Sequence, residues 1–431
     1  MLFKPATSVR GTLTLPGDKS ISHRSAMIAS LAAGKTHIRN FAASADCLTT
    51  LDAMRSLGVK IDRSGSDVLV NGAGATGLAA PAEVIDCGNS GTTMRLLIGI
   101  LAGQRFGSKM IGDESLSRRP MKRVIDPLRR MGASITSTNG QAPLEIAGGQ
   151  TLTGADHLLK VASAQVKSCI LLAGLFANGQ TSVVEPVATR DHTERMLRWF
   201  GAEVKTDEQE KARIISIEGG QKLRGQDVDV PGDISSAAFF LVAAACLRDS
   251  QLTLKNVGVN PTRTGIIEVL KRAGVDILLE NELSASNEPV ADLKVTGTIK
   301  PGDVDRSIVR GNIVANLIDE IPILAVLGTQ LAQGIEFRDA GELRVKESDR
   351  ITSTVENLRR LGASVDEFDD GFRVHRSELR GAELDSFGDH RIAMAFSIAA
   401  LLAKGETTIG GSECTEISFP GFYQTLKSVI V

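Results

Sequence analysis

The sequence predicts an α/β protein of two similar domains, each a closed, threefold set of α/β repeats, and three observations carry that prediction. First, Leu15-Pro-Gly-Asp-Lys-Ser-Ile-Ser-His-Arg24 returns in degraded form as Val230-Pro-Gly-Asp-Ile-Ser-Ser236, half a chain of 431 residues later. Second, Ala/Leu-rich apolar helices close in turn near Gly34, Gly103, Gly179, Asp249, Gly334 and Gly405, at spacings of roughly 70 to 85 residues. Third, an amphipathic helix lies between each pair and ends in a Gly followed by a β-branched strand: Arg55-Ser-Leu-Gly58, Arg130-Met-Gly132, Trp199-Phe-Gly201, Arg272-Ala-Gly274 and Arg360-Leu-Gly362. Each of these Gly residues falls where a left-handed C-cap belongs, and the Arg residues complement the helix dipole. A sixth copy is cut short at Leu426-Lys-Ser-Val429. The unit is therefore about 72 residues long, with two helices and short strands, three units to each half.

Helices apolar on nearly every side, such as Ser236 to Leu247 and Arg391 to Ala403, must be buried on nearly every side. Central helices with sheets outside them satisfy that. An open solenoid would show a period but not a midpoint duplication with its own polar signature. Pro16-Gly17 and Pro231-Gly232 then mark crossovers, giving an N-terminal domain over 17–230 and a C-terminal domain over 231–431 completed by residues 1–16.

Aromatic residues make up 4%, with one Trp and one Tyr, which excludes stacking platforms for single-stranded nucleic acid. A net charge of −2 gives no global attraction to nucleic acid or membrane, so any anion preference is local. Five scattered Cys without a CxxC pair suit a reduced compartment. The start, Met1-Leu-Phe-Lys, has no apolar signal core, and apolar runs such as Ile392 to Ala403 are too short to span a membrane. A soluble, cytoplasmic monomer is expected.

Short polar segments open the apolar helices: Lys19-Ser20-Ile-Ser-His-Arg24, Asn89-Ser-Gly91-Thr-Thr-Met-Arg95, Ser163-Ala164-Gln165-Val-Lys167, Asp319-Glu320 and Asp389-His-Arg391. Helix N-termini present free N–H groups and a positive partial charge, so several together suit an anionic ligand. Asp113 to Arg123, Thr189-Arg190-Asp-His-Thr-Glu194 and Leu343-Arg-Val-Lys346-Glu347-Ser-Asp-Arg350 add further charge. Any one segment alone reads as an N-cap with solvated charges; the pairing of small polar residues with charge at five of six helix starts is what points to a site. The fourth start, from Pro231, lacks it. Gly72-Ala-Gly74-Ala-Thr-Gly77 fits a dinucleotide fingerprint, but Pro81 interrupts the helix it needs, so a glycine turn is predicted. Gly34-Lys-Thr36 ends a helix instead of opening one. No His, Cys and carboxylate cluster has metal-ligand spacing, and His192 with Glu194 reads as surface structure. No metal and no organic cofactor are predicted.

These segments, with Leu116-Ser-Arg-Arg-Pro120, resemble the 5-enolpyruvylshikimate-3-phosphate synthase family of enolpyruvyl transferases over essentially the whole chain. The resemblance implies two domains of three βαβαββ units each, an inside-out α/β barrel, closing over shikimate 3-phosphate and phosphoenolpyruvate in aromatic amino acid biosynthesis. It implies that Lys19, Ser20 and Arg24 hold the shikimate ring and carboxylate, and that Ser163, Ala164 and Gln165 hold its phosphate and ring with help from Arg190. Ala164 stands where some members have Ser. Lys19, Asn89, Gly91, Arg119, Gln165, Arg350 and Arg391 are implied around phosphoenolpyruvate. Asp319 is implied to accept the proton of the attacking hydroxyl, with Lys346 as a positioning cation on the shikimate side and Glu347 as a proton-transfer group; Asp319 and Glu347 are both credible bases.

Ile417 occupies a position that is Lys in some members. Gly17-Asp-Lys19, Ser163 to Lys167, Arg190 to Glu194 and Asn260-Pro-Thr-Arg263 resemble the subgroup less responsive to the inhibitor glyphosate. Two alternatives are weaker. The sister transferases acting on UDP-N-acetylglucosamine carry a loop Cys and an Asn after the first Lys, whereas here Ser20 follows Lys19 and Ile111 to Arg123 holds no Cys. An RNA-end-processing protein would suit the basic run Arg118 to Arg123 but not the charge balance or aromatic content.

Overall fold

A computed structural model describes residues 1–210, 212–299 and 307–431. Among these residues the helices are α1 (Lys19–Leu31), α2 (Ala45–Ser56), α3 (Gly91–Leu101), α4 (Glu114–Ser117), α5 (Lys122–Arg130), α6 (Ala164–Gly174) and α7 (His192–Trp199) in the first half. The second half holds α8 (Ile234–Cys246), α9 (Gly265–Arg272), α10 (Asn312–Leu317), α11 (Ile321–Gly328), α12 (Arg350–Arg360), α13 (His390–Leu402) and α14 (Phe422–Lys427). The amphipathic series ends as the sequence requires: Gly58, Gly132, Gly201, Gly274 and Gly362 have φ of 85°, 101°, 93°, 85° and 84°, the left-handed region that suits a residue without Cβ. The truncated sixth copy is the six-residue α14.

The chain divides into two compact units. The N-terminal unit is Gly17–Val230 with Ala285–Glu288; the C-terminal unit is Met1–Pro16, Pro231–Ser284 and Pro289–Val431. Each has its own apolar core around three central helices, α1, α3 and α6 in one, α8, α11 and α13 in the other. Their burial matches their composition: Leu96, Leu97, Ile98, Ile100 and Leu101 of α3 and Phe240, Leu241, Val242 and Ala243 of α8 have no exposed surface. Truncating such a residue, Leu97→Ala for example, costs about 2–5 kcal/mol. α3 and α6 approach so closely that a Cβ on Gly99 would lie 2.3 Å from the carbonyl oxygen of Cys169, so only glycine fits there.

Among the described residues six sheets surround these cores, five of four strands and one of three. In four repeats the strand before the central helix lies parallel to the strand after it: Ile85–Asp86 with Ser108–Ile111, Asp156–Leu158 with Gln180–Glu185, Ile308–Val309 with Ile335–Phe337, and Glu383–Asp385 with Thr407–Gly410. A parallel pair needs such a crossover helix, and an antiparallel hairpin completes most of the sheets, giving the βαβαββ unit. In the last repeat Leu2–Phe3 takes the hairpin's place.

The α1 and α8 repeats have exchanged their leading strands. Arg10–Thr14 precedes α1 but runs parallel to Gln251–Gly258, which follows α8. Val228–Asp229 precedes α8 but runs parallel to Ala33–Arg39, which follows α1. Each crossing is made at Pro-Gly-Asp, and in both copies the Asp caps the helix, Asp18 Oδ1 accepting from Ile21 N at 2.9 Å and Asp233 Oδ1 from Ser235 N at 2.8 Å. The Gly72 to Gly77 segment is a turn, with Gly74 at φ 76° closing the strand Asp67–Ala73.

Candidate active site

In the N-terminal unit the helix starts gather arginines on neutral partners. Arg24 is buried in α1, where Nε donates to Thr193 Oγ1 at 2.7 Å, Nη2 to Ser168 Oγ at 2.8 Å and Nη1 to the Ser20 carbonyl at 2.9 Å. Burial pushes its guanidinium down to about 10, with Glu194 opposing and Arg190 adding to the shift. Lys19 and Ser20 are half-buried at the same helix start, with Lys19 Nζ 3.6 Å from Asp46 Oδ2. At α3, Ser90 caps the helix, Arg95 Nη1 donates to Gln165 Oε1 at 2.8 Å, and Gln165 Nε2 donates to Thr92 Oγ1 at 3.0 Å. Arg119 Nη2 donates to Asn89 Oδ1 at 3.0 Å and Ser115 Oγ at 3.3 Å, while Asn89 Nδ2 donates to Asp113 Oδ2 at 2.7 Å. Gly91 lies under both arginines: a Cβ there would sit 3.2 Å from Arg95 Nη1 and 3.3 Å from Arg119 Nη1. Ser163 caps α6, its Oγ accepting from Val166 N at 3.4 Å, and Ala164 and Gln165 follow, half-buried.

Beneath this surface, His23 Nδ1 lies 2.6 Å from Thr50 Oγ1, which lies 2.6 Å from Thr93 Oγ1, which donates to Ser90 Oγ at 2.7 Å. Thr93 gives its proton to Ser90, so Thr50 gives its own to Thr93 and accepts from an Nδ1–H on His23. Burial, then the charges of Lys19 and Arg24, push His23 down to about 3, keeping the ring neutral.

The C-terminal unit holds the opposite arrangement. Arg350, 1% exposed, donates from Nε to Asp389 Oδ2 at 2.7 Å, from Nη1 to Asp319 Oδ1 at 3.1 Å and from Nη2 to Glu347 Oε2 at 2.6 Å. Against the cost of burying it, Asp389, Glu347 and Asp319 hold Arg350 above its usual range. Against the same cost, Arg350 holds Asp389 below the usual carboxylate range. Asp389 also caps α13, accepting from Arg391 N at 2.9 Å. Lys346 Nζ reaches Asp319 Oδ1 at 3.4 Å, and Arg391 Nη1 donates to the Asp319 carbonyl at 3.4 Å and lies 3.9 Å from Glu320 Oε1.

The structure thus brings together Lys19, Ser20, Arg24, Ser163 and Gln165 with Asn89, Gly91 and Arg119 in one unit, and Asp319, Lys346, Glu347, Arg350 and Arg391 in the other. Arg350 is buried among three carboxylates, with one Nη1 hydrogen bond to Asp319 and the rest to Glu347 and Asp389. Two sequence readings need correction. His192 and Glu194 are buried, not surface: His192 Nδ1 is 2.8 Å from Glu288 Oε1, and Glu194 Oε1 is 2.7 Å from Lys167 Nζ. Both partners lie far off in sequence, where spacing gives no signal. The fourth helix start does carry charge, since Arg263 Nη2 donates to Ser235 Oγ at 2.7 Å and Ser235 bonds Glu320; the signal was Arg263 in the Asn260-Pro-Thr-Arg263 segment. Sequence reasoning also missed Lys167 as a buried residue and Asp389 as the anchor of both Arg350 and the α13 start.

Among the described residues no group of three or more His, Cys, Asp or Glu is placed to hold a metal ion. No helix among them is long and apolar enough to cross a membrane. Burial pushes the Cys414 thiol up to about 11, away from thiolate chemistry. Ile417 is half-buried at the end of the 3₁₀ segment Ser412–Ile417.

The architecture defines a class: the fold is that of the enolpyruvyl transferases. The enolpyruvyl transferase NikO from Streptomyces tendae, 18% identical, shares it with a TM-score of 0.79 over 99% of this chain and 96% of that one. The family described as EPSP synthase (3-phosphoshikimate 1-carboxyvinyltransferase) matches residues 3–426, and the chain belongs to that family. The 3-phosphoshikimate 1-carboxyvinyltransferase of Geobacillus kaustophilus is 50% identical over 430 residues, covering 98% of each chain. That of Solibacter usitatus is 49% identical over 429 residues, covering 99% of each. The EPSP synthase structure from Acinetobacter baumannii has a TM-score of 0.87 at 45% identity, covering 100% of this chain and 97% of that one.

Proposed function

We propose that this protein transfers the enolpyruvyl group of phosphoenolpyruvate to the 5-hydroxyl of shikimate 3-phosphate and releases phosphate, a step of aromatic amino acid biosynthesis. The observation that carries the reading is the division of charge: arginines on neutral partners at the α1 and α3 starts, and carboxylates ordered by Arg350 at the α11 and α13 starts.

Lys19, Ser20 and Arg24 take the shikimate carboxylate and ring; Ser163, Ala164, Gln165 and Arg190 take its phosphate side. Asn89, Gly91, Arg119 and Gln165, with Lys19 and Arg391, take phosphoenolpyruvate, where guanidinium forks match carboxylate and phosphate oxygens. Arg350, ordered among Asp319, Glu347 and Asp389, adds its guanidinium to the same ligand. Asp319, held by Lys346 and Arg350, accepts the proton of the 5-hydroxyl as it attacks C2, while C3 gains a proton from the carboxyl group of Glu347. Phosphate then leaves C2 with the proton that Asp319 had accepted, and a C3 proton returns to Glu347, restoring the double bond. No metal or organic cofactor takes part. The protein works as a cytoplasmic monomer, and glyphosate competes with phosphoenolpyruvate.

Phosphate release tests the reading. It is expected only when both substrates are present, and to be unchanged by a chelator. Release with phosphoenolpyruvate alone, or transfer to UDP-N-acetylglucosamine instead, would overturn it.

A further inference from the structure

One cation of the N-terminal unit has no part in that scheme. Lys167 stands in the first turn of α6, two residues beyond Gln165, yet its side chain has no exposed surface. Its ammonium donates to Glu185 Oε1 at 3.0 Å and to the Thr189 carbonyl at 3.3 Å, and lies 2.7 Å from Glu194 Oε1. Thr189 Oγ1 donates to the other oxygen of Glu185 at 2.8 Å. All of these partners lie on the stretch 185–194, which leaves the strand Gln180–Glu185, carries Arg190 and enters α7. The next residue of α6, Ser168, is 2.7 Å from Thr193 Oγ1, and both hydroxyls accept from Arg24. Two adjacent side chains of α6 therefore hold the Arg190 stretch at its start, beside Arg190 and at its end.

Stability alone does not account for this. A buried ion pair gains little over well-packed apolar side chains of the same volume, because desolvation offsets the attraction. An apolar residue at 167 would fill the space but could not hold the Thr189 carbonyl and the Glu185 carboxylate in fixed directions or pair with the Glu194 charge. Burial pushes Glu185 up from the usual carboxylate range and Lys167 opposes the shift, as expected of two carboxylates sharing one ammonium.

We propose that Lys167, with Glu185 and Glu194, is a positioning group that sets Arg190 for the phosphate of shikimate 3-phosphate; the proposal rests on Arg190 serving that phosphate, as read above. Lys167 touches no substrate. It fixes the backbone on the N-terminal side of Arg190 and the helix start on the other, so that the guanidinium meets a dianion without first having to be ordered.

The test compares binding of shikimate 3-phosphate with binding of shikimate, which differs only in lacking the phosphate, to the full-length protein by calorimetry. For Lys167→Met the dissociation constant for shikimate 3-phosphate is expected to rise at least about tenfold and that for shikimate less than about twofold. Adding Arg190→Ala to Lys167→Met is expected to cost less than Arg190→Ala alone, since both act through one contact. Equal weakening of the two ligands, no weakening, or additive losses would overturn the proposal. If Lys167→Met does not fold, Glu194→Gln keeps the Lys167 and Glu185 pair and should still lower the preference for the phosphorylated ligand about threefold; an unchanged preference overturns the proposal. Failure of the wild-type protein to release phosphate with both substrates would refute the functional reading itself, a result distinct from an unchanged preference in the variants.

Discussion

Two arginine clusters, one in each unit, hold their guanidinium groups in opposite ways. In the N-terminal unit Arg24 donates to two hydroxyls and a carbonyl, Arg95 to an amide oxygen, and Arg119 to an amide oxygen and a hydroxyl. In the C-terminal unit Arg350 donates to Asp319, Glu347 and Asp389. Neutral acceptors fix the direction of a guanidinium and leave its charge in place, which suits a site for anions. Carboxylates cancel the charge, and the arginine becomes the frame that holds acids and bases in register. The same residue type thus keeps its charge available in one cluster and uses it to order carboxylates in the other, and the identity of its neighbours decides which.

The largest effect that would break this comparison is on stability. Arg350→Leu leaves Asp389 buried with Asp319 and Glu347 and no guanidinium between them, and should cost about 3–5 kcal/mol. Arg119→Leu, which gives up hydrogen bonds to the amide of Asn89 and the hydroxyl of Ser115, should cost far less, and urea midpoints of the two variants measure the difference. Equal midpoints would mean that the carboxylates do not depend on Arg350. Next in size is catalysis: Lys19→Ala and Arg119→Ala should each lose at least about a hundredfold in turnover while melting at the wild-type temperature, as loss of a preorganised charge contact does. Unchanged turnover in either variant removes its assigned role.

Acid should separate the two halves by pH window. His23 is held neutral at a pKa of about 3 against 6.5 when unfolded, so protons favour the unfolded chain between those values and its contribution to stability is lost as pH falls through that window. From pH 7 to pH 5 this amounts to about 2 kcal/mol, and His23→Gln should lose correspondingly less over the same interval. Asp389 is depressed below its unfolded 3.8, so its stabilisation is lost only at lower pH, as the group titrates below that value. A variant with the wild-type pH slope would show that His23 is not the group responsible. The smallest effect belongs to Gly91→Ala. The new methyl group must push Arg95 and Arg119 aside by a few tenths of an ångström, at a cost on the order of 1 kcal/mol. The inhibition constant for glyphosate, longer than phosphoenolpyruvate, should rise by a larger factor than the Michaelis constant for the substrate. Equal or reversed factors would place Gly91 away from that ligand.

What could be read from sequence was what local chemistry decides. The glycines that end the amphipathic helices announce a left-handed cap within three or four residues, and all five adopt it. The apolar runs announce their own burial. Roles set by distant partners could not be read in the same way. Lys167 stands in a polar motif at a helix start, where a lysine suggests an anion site, but Glu185 and Glu194 claim it. His192 finds its carboxylate in Glu288, nearly a hundred residues on. The strand exchange was legible in part: the repeated Pro-Gly-Asp marked both crossovers and gave residues 1–16 to the later unit, but which strand each leading strand pairs with is set by long-range contacts.

That exchange ties the order of synthesis to the order of closure. Arg10–Thr14 leaves the ribosome with nothing to pair with, because its partner begins at Gln251, more than half the chain later. The N-terminal unit acquires its borrowed strand, Val228–Asp229, as soon as its own segment ends, but the C-terminal unit is sealed by residues made before any of its helices. A fragment starting at Pro231 therefore has a sheet edge at Gln251–Gly258 without its neighbour, and a separate peptide carrying residues 1–16 has the strand that edge lacks. The earliest part of the chain serves as the last piece of the later unit.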